Sequence, residues 1–301
     1  MMQAKPQFSS TEKGLLVRAP AKINLSLLIA GKRPDGYHEI ETVMAKVSLY
    51  DEILIEPGTR PGVDLQCQGP HWAPDGPGNL VHRAVKLLMD AWGTHADLRI
   101  TLAKNIPAGS GLGSASSDAA SALLGVSRLL QLDVPCEDLV HLAGELGSDV
   151  AFFLGGPLAL CTGRGEKVSP LAPDHDFLVL LVLPGVHVST ARVYSHYRHD
   201  ADQYRRWHDR IADHLSRNRI DSVVGMRANM LSSTCFGLEG DLARLEEQIE
   251  ALGVGPVCLT GSGSAMYKII DRGDVARAKA DQEILAVRIG CPSLIVANNP
   301  W

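Results

Sequence analysis

Between Pro107 and Ala120 the chain reads Pro-Ala-Gly-Ser-Gly-Leu-Gly-Ser-Ala-Ser-Ser-Asp-Ala-Ala, a run of small residues lying between a strand pattern and a helix pattern. Glycines at 109, 111 and 113 leave no Cβ in the way of a ligand, so successive N–H groups can point to one side. The helix start behind them adds partial positive charge, and together these features make a phosphate cradle. No Gly-Lys-Ser/Thr follows, and the third glycine comes one residue early for a dinucleotide fingerprint. Taken alone, the run could equally be a tight connection capped by Ser116, Ser117 or Asp118.

Gly147-Ser-Asp-Val-Ala-Phe-Phe-Leu154 carries a second chemical signal, a carboxylate entering an apolar run. A buried Asp149, in a strand or buried turn, needs a cation or donors beside it. Lys22 is the candidate partner, on a stretch where Ile23, Leu25, Leu27 and Ile29 alternate with Lys22, Asn24 and Ser26. That alternation predicts a half-buried strand with Lys22 and Asn24 on one face. The competing reading is that Asp149 only caps the turn after Gly147. In Gly31-Lys-Arg-Pro-Asp-Gly-Tyr-His38, Tyr37 could stack on a planar base and His38 could bond its edge, or the segment could be a plain hairpin with a basic tip. Leu259-Thr-Gly-Ser-Gly-Ser264 is a further small-residue connection that could rim a site or simply pack closely.

The elements that must position these residues follow from periodicity. Strands are expected over 22–29, 37–55, 63–67 and 98–102, and helices over 80–91, 117–130 and 136–146, with Asn79 capping the first. Ala120, Leu123, Leu124 and Leu130 should face inward from the second helix. The 168–173 stretch breaks all periodicity, dividing the chain into domains 1–170 and 171–301. A buried strand over 177–183 opens the second half, which closes with helix 238–252, strands 257–260 and 265–270, helix 275–286 and a strand near Ile295. The order indicates an α+β architecture and not a doubly wound sheet. Residues 192–219, rich in His and Arg, read as a solvated helical insertion.

With 301 residues the chain suits about two domains, and a net charge of −5 gives no electrostatic footprint for nucleic acid or acidic membranes. Six scattered cysteines without a Cys-x-x-Cys pair point to reduced thiols. The first residues lack the apolar run of a signal peptide, and 177–186 is too short to span a bilayer, so a cytoplasmic protein is expected.

Pro20–Thr42, Asn105–Ala120, Gly147–Pro170 and Leu259–Ser264, in this order and spacing, resemble the GHMP kinases over most of the chain. Gly31–Glu39 resembles the cytidine-side signature of one branch of that family. The resemblance implies an N-terminal domain like ribosomal protein S5 domain 2, a ferredoxin-like C-terminal domain, and a site between them. It also implies ATP and Mg²⁺ as cofactors, and phosphorylation of the 2-hydroxyl of a small-molecule substrate, the cytidyl diphosphate of methylerythritol, on the non-mevalonate route to isoprenoids.

Carried over by position, Lys22 and Asp149 match the catalytic pair. Pro107, Ala108, Gly109, Ser110, Gly111, Leu112, Gly113, Ser114, Ala115, Ser116 and Ser117 match the ATP loop. Asn24, Tyr37, His38, Lys104, Thr190 and Tyr194 match substrate contacts, with Tyr194 on the other face of the base. Where the family usually has Gly-Leu-Gly-Gly-Gly-Ser-Ser this chain has Ser114 and Ala115 in place of two glycines. The cradle survives that change if both residues are helical. Other readings are a kinase of a different alcohol, a related decarboxylase, and a silent nucleotide-binding protein, the last disfavoured by retention of both Lys22 and Asp149.

Overall fold

The computed structural model describes residues 7–172, 176–298 and 301. Pro173, at the end of the expected break, and the first six residues of the N-terminal stretch lie outside the described residues. The first sheet comprises β1 (Phe8–Ser10), β2 (Leu15–Lys32), β3 (His38–Pro57), β4 (Val63–Gln68), β5 (Leu98–Ala103), β6 (Leu158–Gly163) and β7 (Lys167–Pro170). Its order is β1-β2-β3-β5-β4, with β6 also paired to β3 and β7 to β6. One long strand, β3, pairs with β2 along one edge and is shared by two neighbours on the other, residues 40–45 with β6 and residues 52–57 with β5. The second sheet, β8 (Phe177–Val182), β9 (Cys258–Leu259), β10 (Met266–Asp271) and β11 (Ser293–Ala297), is antiparallel in the order β11-β8-β10-β9.

Helices α1 (Leu80–Ala91), α2 (Ser114–Leu129), α3 (Cys136–Leu146) and α4 (Val150–Leu154) pack with the first sheet around one apolar core. A second core joins β2 and β3 to the second sheet and to α5 (Thr190–His196), α6 (Ala201–Ser216), α7 (Ile220–Gly225), α8 (Ser232–Leu238), α9 (Gly240–Ala251) and α10 (Val275–Ile284). The chain therefore has the expected α+β architecture. Among the described residues no helix is long and apolar enough to cross a membrane, and all six cysteines are free.

Several local expectations need adjustment. The β2 strand is buried on both faces from Ala19 to Ile29, because helices cover one side and the second sheet the other. Its alternation of apolar and polar residues therefore marks which side chains face the site, not which face water. Ser114 begins α2, three residues before the expected start, and Leu124 and Leu130 are only half-buried. Asp149 precedes a five-residue helix, α4, and not a strand. The insertion does form helices, but α6 buries Ile211 and is joined to β3 by His208, whose Nδ1 lies 3.0 Å from Glu41 Oε2.

Backbone bonds close the two halves onto each other. Leu27 N donates to Ala228 O at 2.7 Å, and Met230 N donates to Leu27 O at 2.9 Å. Ala297 N donates to Ser48 Oγ at 2.9 Å. Strand β2 thus belongs to both cores, and the residues along it are placed where the two halves meet.

Candidate functional site

The phosphate loop is held from both sides. Lys22 N donates to Leu112 O at 3.0 Å, and Ala265 N donates to Ser110 O at 3.0 Å, so β2 and the connection before β10 grip it together. Gly109, Gly111 and Gly113 all have positive φ. A Cβ on Gly111 would lie 2.3 Å from Thr260 O, and one on Gly113 would lie 2.9 Å from both Lys22 Cγ and Phe153 Cζ. Only glycine fits that packing at those backbone angles. Ser114 and Ala115 are helical, so their Cβ atoms introduce no strain. No side chain caps the start of α2, which leaves its first N–H groups free for an anion.

Beside the loop stands the lysine–carboxylate pair. Lys22 is 4% exposed; its Nζ donates to Asn24 Oδ1 at 2.7 Å and lies 3.7 Å from Asp149 Oδ2. Burial lowers the Lys22 ammonium from its ordinary value, and Asp149 opposes that shift. The 3.7 Å separation exceeds a hydrogen bond, and the Asp149 side chain is about a third exposed, so the pair stays open toward the cavity. Asn24 is the joint of the site. Its Nδ2 donates to Thr42 Oγ1 at 2.8 Å, its backbone N donates to Thr260 Oγ1 at 3.1 Å, and its carbonyl accepts from Tyr267 OH at 2.8 Å.

Lys104 lies deeper than the other expected substrate contacts. Its Nζ bonds Asp51, Ser114 and Asp118, the last at 2.6 Å, so all three donors have protein acceptors. Burial by itself would lower this ammonium, but Asp118 and Asp51 hold it above the usual lysine value. Asp118 is in turn pushed well up by burial, with Asp51 adding to the effect against Lys104. The cluster underpins the first turn of α2 while contributing little free positive charge.

A cavity of about 1180 Å³ connects these groups. Its wall includes Lys22, Asn24, Tyr37, His38, Lys104, the loop from Pro107 to Ser116, Asp149, Thr190 and Tyr194. Ser117 is the exception: it is fully buried, its N donates to Gly113 O at 2.9 Å, and it is not in the wall. At one end His38 and Tyr194 have ring centroids 5.2 Å apart, and Tyr37 is 55% exposed beneath the Arg164 guanidinium at 5.2 Å. Desolvation lowers the His38 imidazolium, helped by Lys32 and His199, which favours the neutral ring with one donor and one acceptor nitrogen. Burial raises the Tyr194 phenol. Thr190 Oγ1 is 2.8 Å from Ser262 Oγ, joining α5 to the Leu259–Ser264 connection.

The opposite end is lined by Trp72, Pro74, Asn79 and Leu80, with Trp72 81% exposed. Neither Trp72 nor Arg164 stood out by spacing. The available signal was a tryptophan in a Gly/Pro-rich loop and an arginine between two glycines, both weak when read alone.

The chain matches the family described as GHMP kinases N terminal domain over residues 79–157. It is 38% identical over 268 residues to a 4-diphosphocytidyl-2-C-methyl-D-erythritol kinase of Geobacter sp. (strain M21), covering 89% of this chain and 94% of that one. A crystal structure of 4-(cytidine 5'-diphospho)-2C-methyl-D-erythritol kinase superposes with a TM-score of 0.74 at 33% identity, covering 94% of this chain and 99% of the other. Homoserine kinase from Cytophaga hutchinsonii superposes with a TM-score of 0.75 at 19% identity, covering 98% of each chain, a likeness of fold.

Proposed function

Because the chain belongs to the 4-diphosphocytidyl-2-C-methyl-D-erythritol kinases, within the GHMP kinases, we propose that its cavity brings ATP and a cytidylyl alcohol together across the phosphate loop. The reaction is ATP-dependent phosphorylation of the 2-hydroxyl of 4-diphosphocytidyl-2-C-methyl-D-erythritol. One observation carries the reading: the loop and the Lys22–Asp149 pair line the same cavity as the His38–Tyr194 rings and Trp72. The aromatic-imidazole end takes the cytosine, with Tyr37 as a stacking surface and His38 bonding the base edge. Trp72 and Pro74 take the adenine, and Arg164, over the Tyr37 ring, places a cation near the cytidylyl end.

Phosphoryl transfer needs alignment and neutralisation of charge more than covalent chemistry from the protein. The N–H groups of residues 109–116 hold the triphosphate at the uncapped head of α2. Asp149 accepts the proton of the attacking hydroxyl, and Lys22 keeps that carboxylate ionised while drawing the oxygen toward the donor phosphate. Asn24 holds Lys22 at the required angle, and Lys104 supports the helix head from below. Ser114 is already bonded to Asp51 at 2.9 Å, whereas the Ser116 hydroxyl and the Asp149 carboxylate line the cavity as oxygen donors of the kind that suits a hard cation arriving with the nucleotide. Magnesium bound there would offset the charge of the terminal phosphates.

Placement in the cytoplasm follows from the same reading, since both substrates are soluble metabolites. The test is ADP release with the cytidylyl alcohol, mevalonate and homoserine offered in parallel. Turnover confined to the cytidylyl alcohol is expected. Turnover of another alcohol alone, or ATP binding with no ADP release on any of them, would overturn the assignment.

A further inference from the structure

Lys46 is 4% exposed and has no role in the site as described so far. It stands on β3 directly opposite Lys22 on β2, so the two side chains share one face of the sheet. No carboxylate lies within ion-pairing distance of it among the described residues. Its Nζ donates instead to two carbonyls, Phe153 O at 3.2 Å and Gly155 O at 2.7 Å. Its backbone N donates to Pro157 O at 2.8 Å, so one residue grips the segment 153–157 at three points.

That segment closes α4, which has only five residues. So short a helix cannot hold its own ends, and its last carbonyls need outside donors. Asp149 is the residue before this helix, its side chain makes no capping bond, and its contact to Lys22 is too long for a hydrogen bond. The carboxylate is therefore aimed by the backbone of α4. Phe153 also matters directly, because its ring lies against Gly113, where a Cβ would come within 2.9 Å of it. Lys22, Asp149 and the phosphate loop thus all meet elements that Lys46 binds or faces. Burial pushes the Lys46 ammonium down to about 8, a cost that an apolar side chain filling the same space would avoid.

We propose that Lys46 is a positioning residue for phosphoryl transfer, fixing Asp149 and Gly113 through the carbonyls that close α4. This rests on the kinase reading above. In the variant Lys46→Met the side-chain donor is lost with little change in volume, while Lys46→Gln keeps a neutral donor one bond shorter. Three measurements apply: steady-state kinetics with the cytidylyl alcohol and ATP, nucleotide-binding stoichiometry to count folded sites, and amide hydrogen exchange over residues 148–157.

The Met variant should bind nucleotide at full stoichiometry and exchange faster over 148–157. Its kcat should fall about 10-fold or more, as misalignment of a reacting group does, with both KM values within about 3-fold. The Gln variant should fall between the two proteins. Wild-type kcat in Lys46→Met, unchanged exchange, or a kcat loss matched by the loss of binding sites would each overturn the proposal. If the wild-type protein turns over no cytidylyl alcohol, the substrate reading fails, whereas the exchange measurement still decides whether Lys46 tethers α4.

Discussion

Replacing Lys46 by methionine should change stability in a way that depends on pH, and the direction follows from burial. Burial pushes the Lys46 ammonium down to about 8 in the folded protein, against 10.5 for a lysine in water. Between those two values the unfolded chain binds more protons than the folded one, so this group's contribution to stability rises with pH. Below pH 8 the penalty is complete, and above 10.5 it is gone. At about 1.4 kcal/mol per pKa unit, the swing is about 3 kcal/mol. A neutral amine still donates to Phe153 O and Gly155 O, bonds worth about 1 kcal/mol each, and these are lost in the Met variant at every pH.

The Met variant should accordingly match or exceed wild type at pH 7 and fall below it by pH 10.5. At about 2 °C per kcal/mol for a chain of this size, the difference in Tm between the two proteins should move by roughly 6 °C across that range. Differential scanning calorimetry on both proteins, at matched pH and salt, reads that difference directly. Other alkaline transitions, such as those of Cys67 and Cys258, whose thiols burial raises to about 11, occur in both proteins and cancel. A difference in Tm that stays flat with pH, or moves the other way, would refute the account of Lys46 as a buried ammonium held only by carbonyls.

The remaining predictions concern the cavity. Lys22→Ala and Asp149→Ala should each cut kcat by ~10² or more in the ADP-release assay, as loss of a positioned acid–base group does; near-wild-type turnover in both would remove the pair from the chemistry. Tyr37→Ala should raise KM for the cytidylyl alcohol more than for ATP, and Trp72→Ala should do the reverse, each by about 5-fold for a stacking surface worth about 1 kcal/mol. If both variants affect the same substrate, the assignment of ends is wrong. Gly62 and Gly111 share a positive φ, but only Gly111 faces a backbone oxygen, at 2.3 Å from an added Cβ. Gly62→Ala should therefore lower Tm by only a few degrees and keep activity, since the left-handed region alone costs about 1–2 kcal/mol. Gly111→Ala should open the joint between the loop and Thr260, and equal melting curves for the two variants would contradict the close packing.

Much of this architecture could be read along the chain because local signals and tertiary contacts agree. Asn79 accepts from Val81 N as the cap of α1, and α3 spans Cys136–Leu146 as its periodicity required. Agreement fails where the partner is distant in sequence. Asp149 looked like a strand or turn residue because five apolar-flanked positions cannot distinguish a strand from one helical turn, and packing against α2 and α3 decided it. The resemblance places Lys104 among the substrate contacts and is silent on its partners Asp51 and Asp118, which come from another strand and from the helix behind the loop. Lys46 gave no signal at all, because its acceptors are backbone carbonyls, which any sequence supplies. Trp72 is exposed on a loop, and only the shape of the cavity gives it a place.

Lys22, Lys46 and Lys104 are all 4% exposed or less, and on the proposed reading they account for how a chain of net charge −5 would receive polyanions. Each buried ammonium faces a different kind of acceptor, and the acceptor decides what remains for a ligand. Two carboxylates consume the charge of Lys104, so it stiffens the head of α2 without attracting phosphate. Backbone carbonyls hold Lys46 without cancelling its charge, but it is walled off behind α4. Only Lys22 is paired with a carboxylate that still reaches solvent, across a gap wider than a hydrogen bond. On the reaction proposed above, a hydroxyl oxygen entering that gap would meet a proton acceptor and a cation at once, while the uncapped head of α2 would offer N–H groups to the phosphates. Fixed amides and a single open ion pair favour the geometry of transfer over attraction to phosphate in general, because oriented dipoles reward an anion only where it sits in line with them.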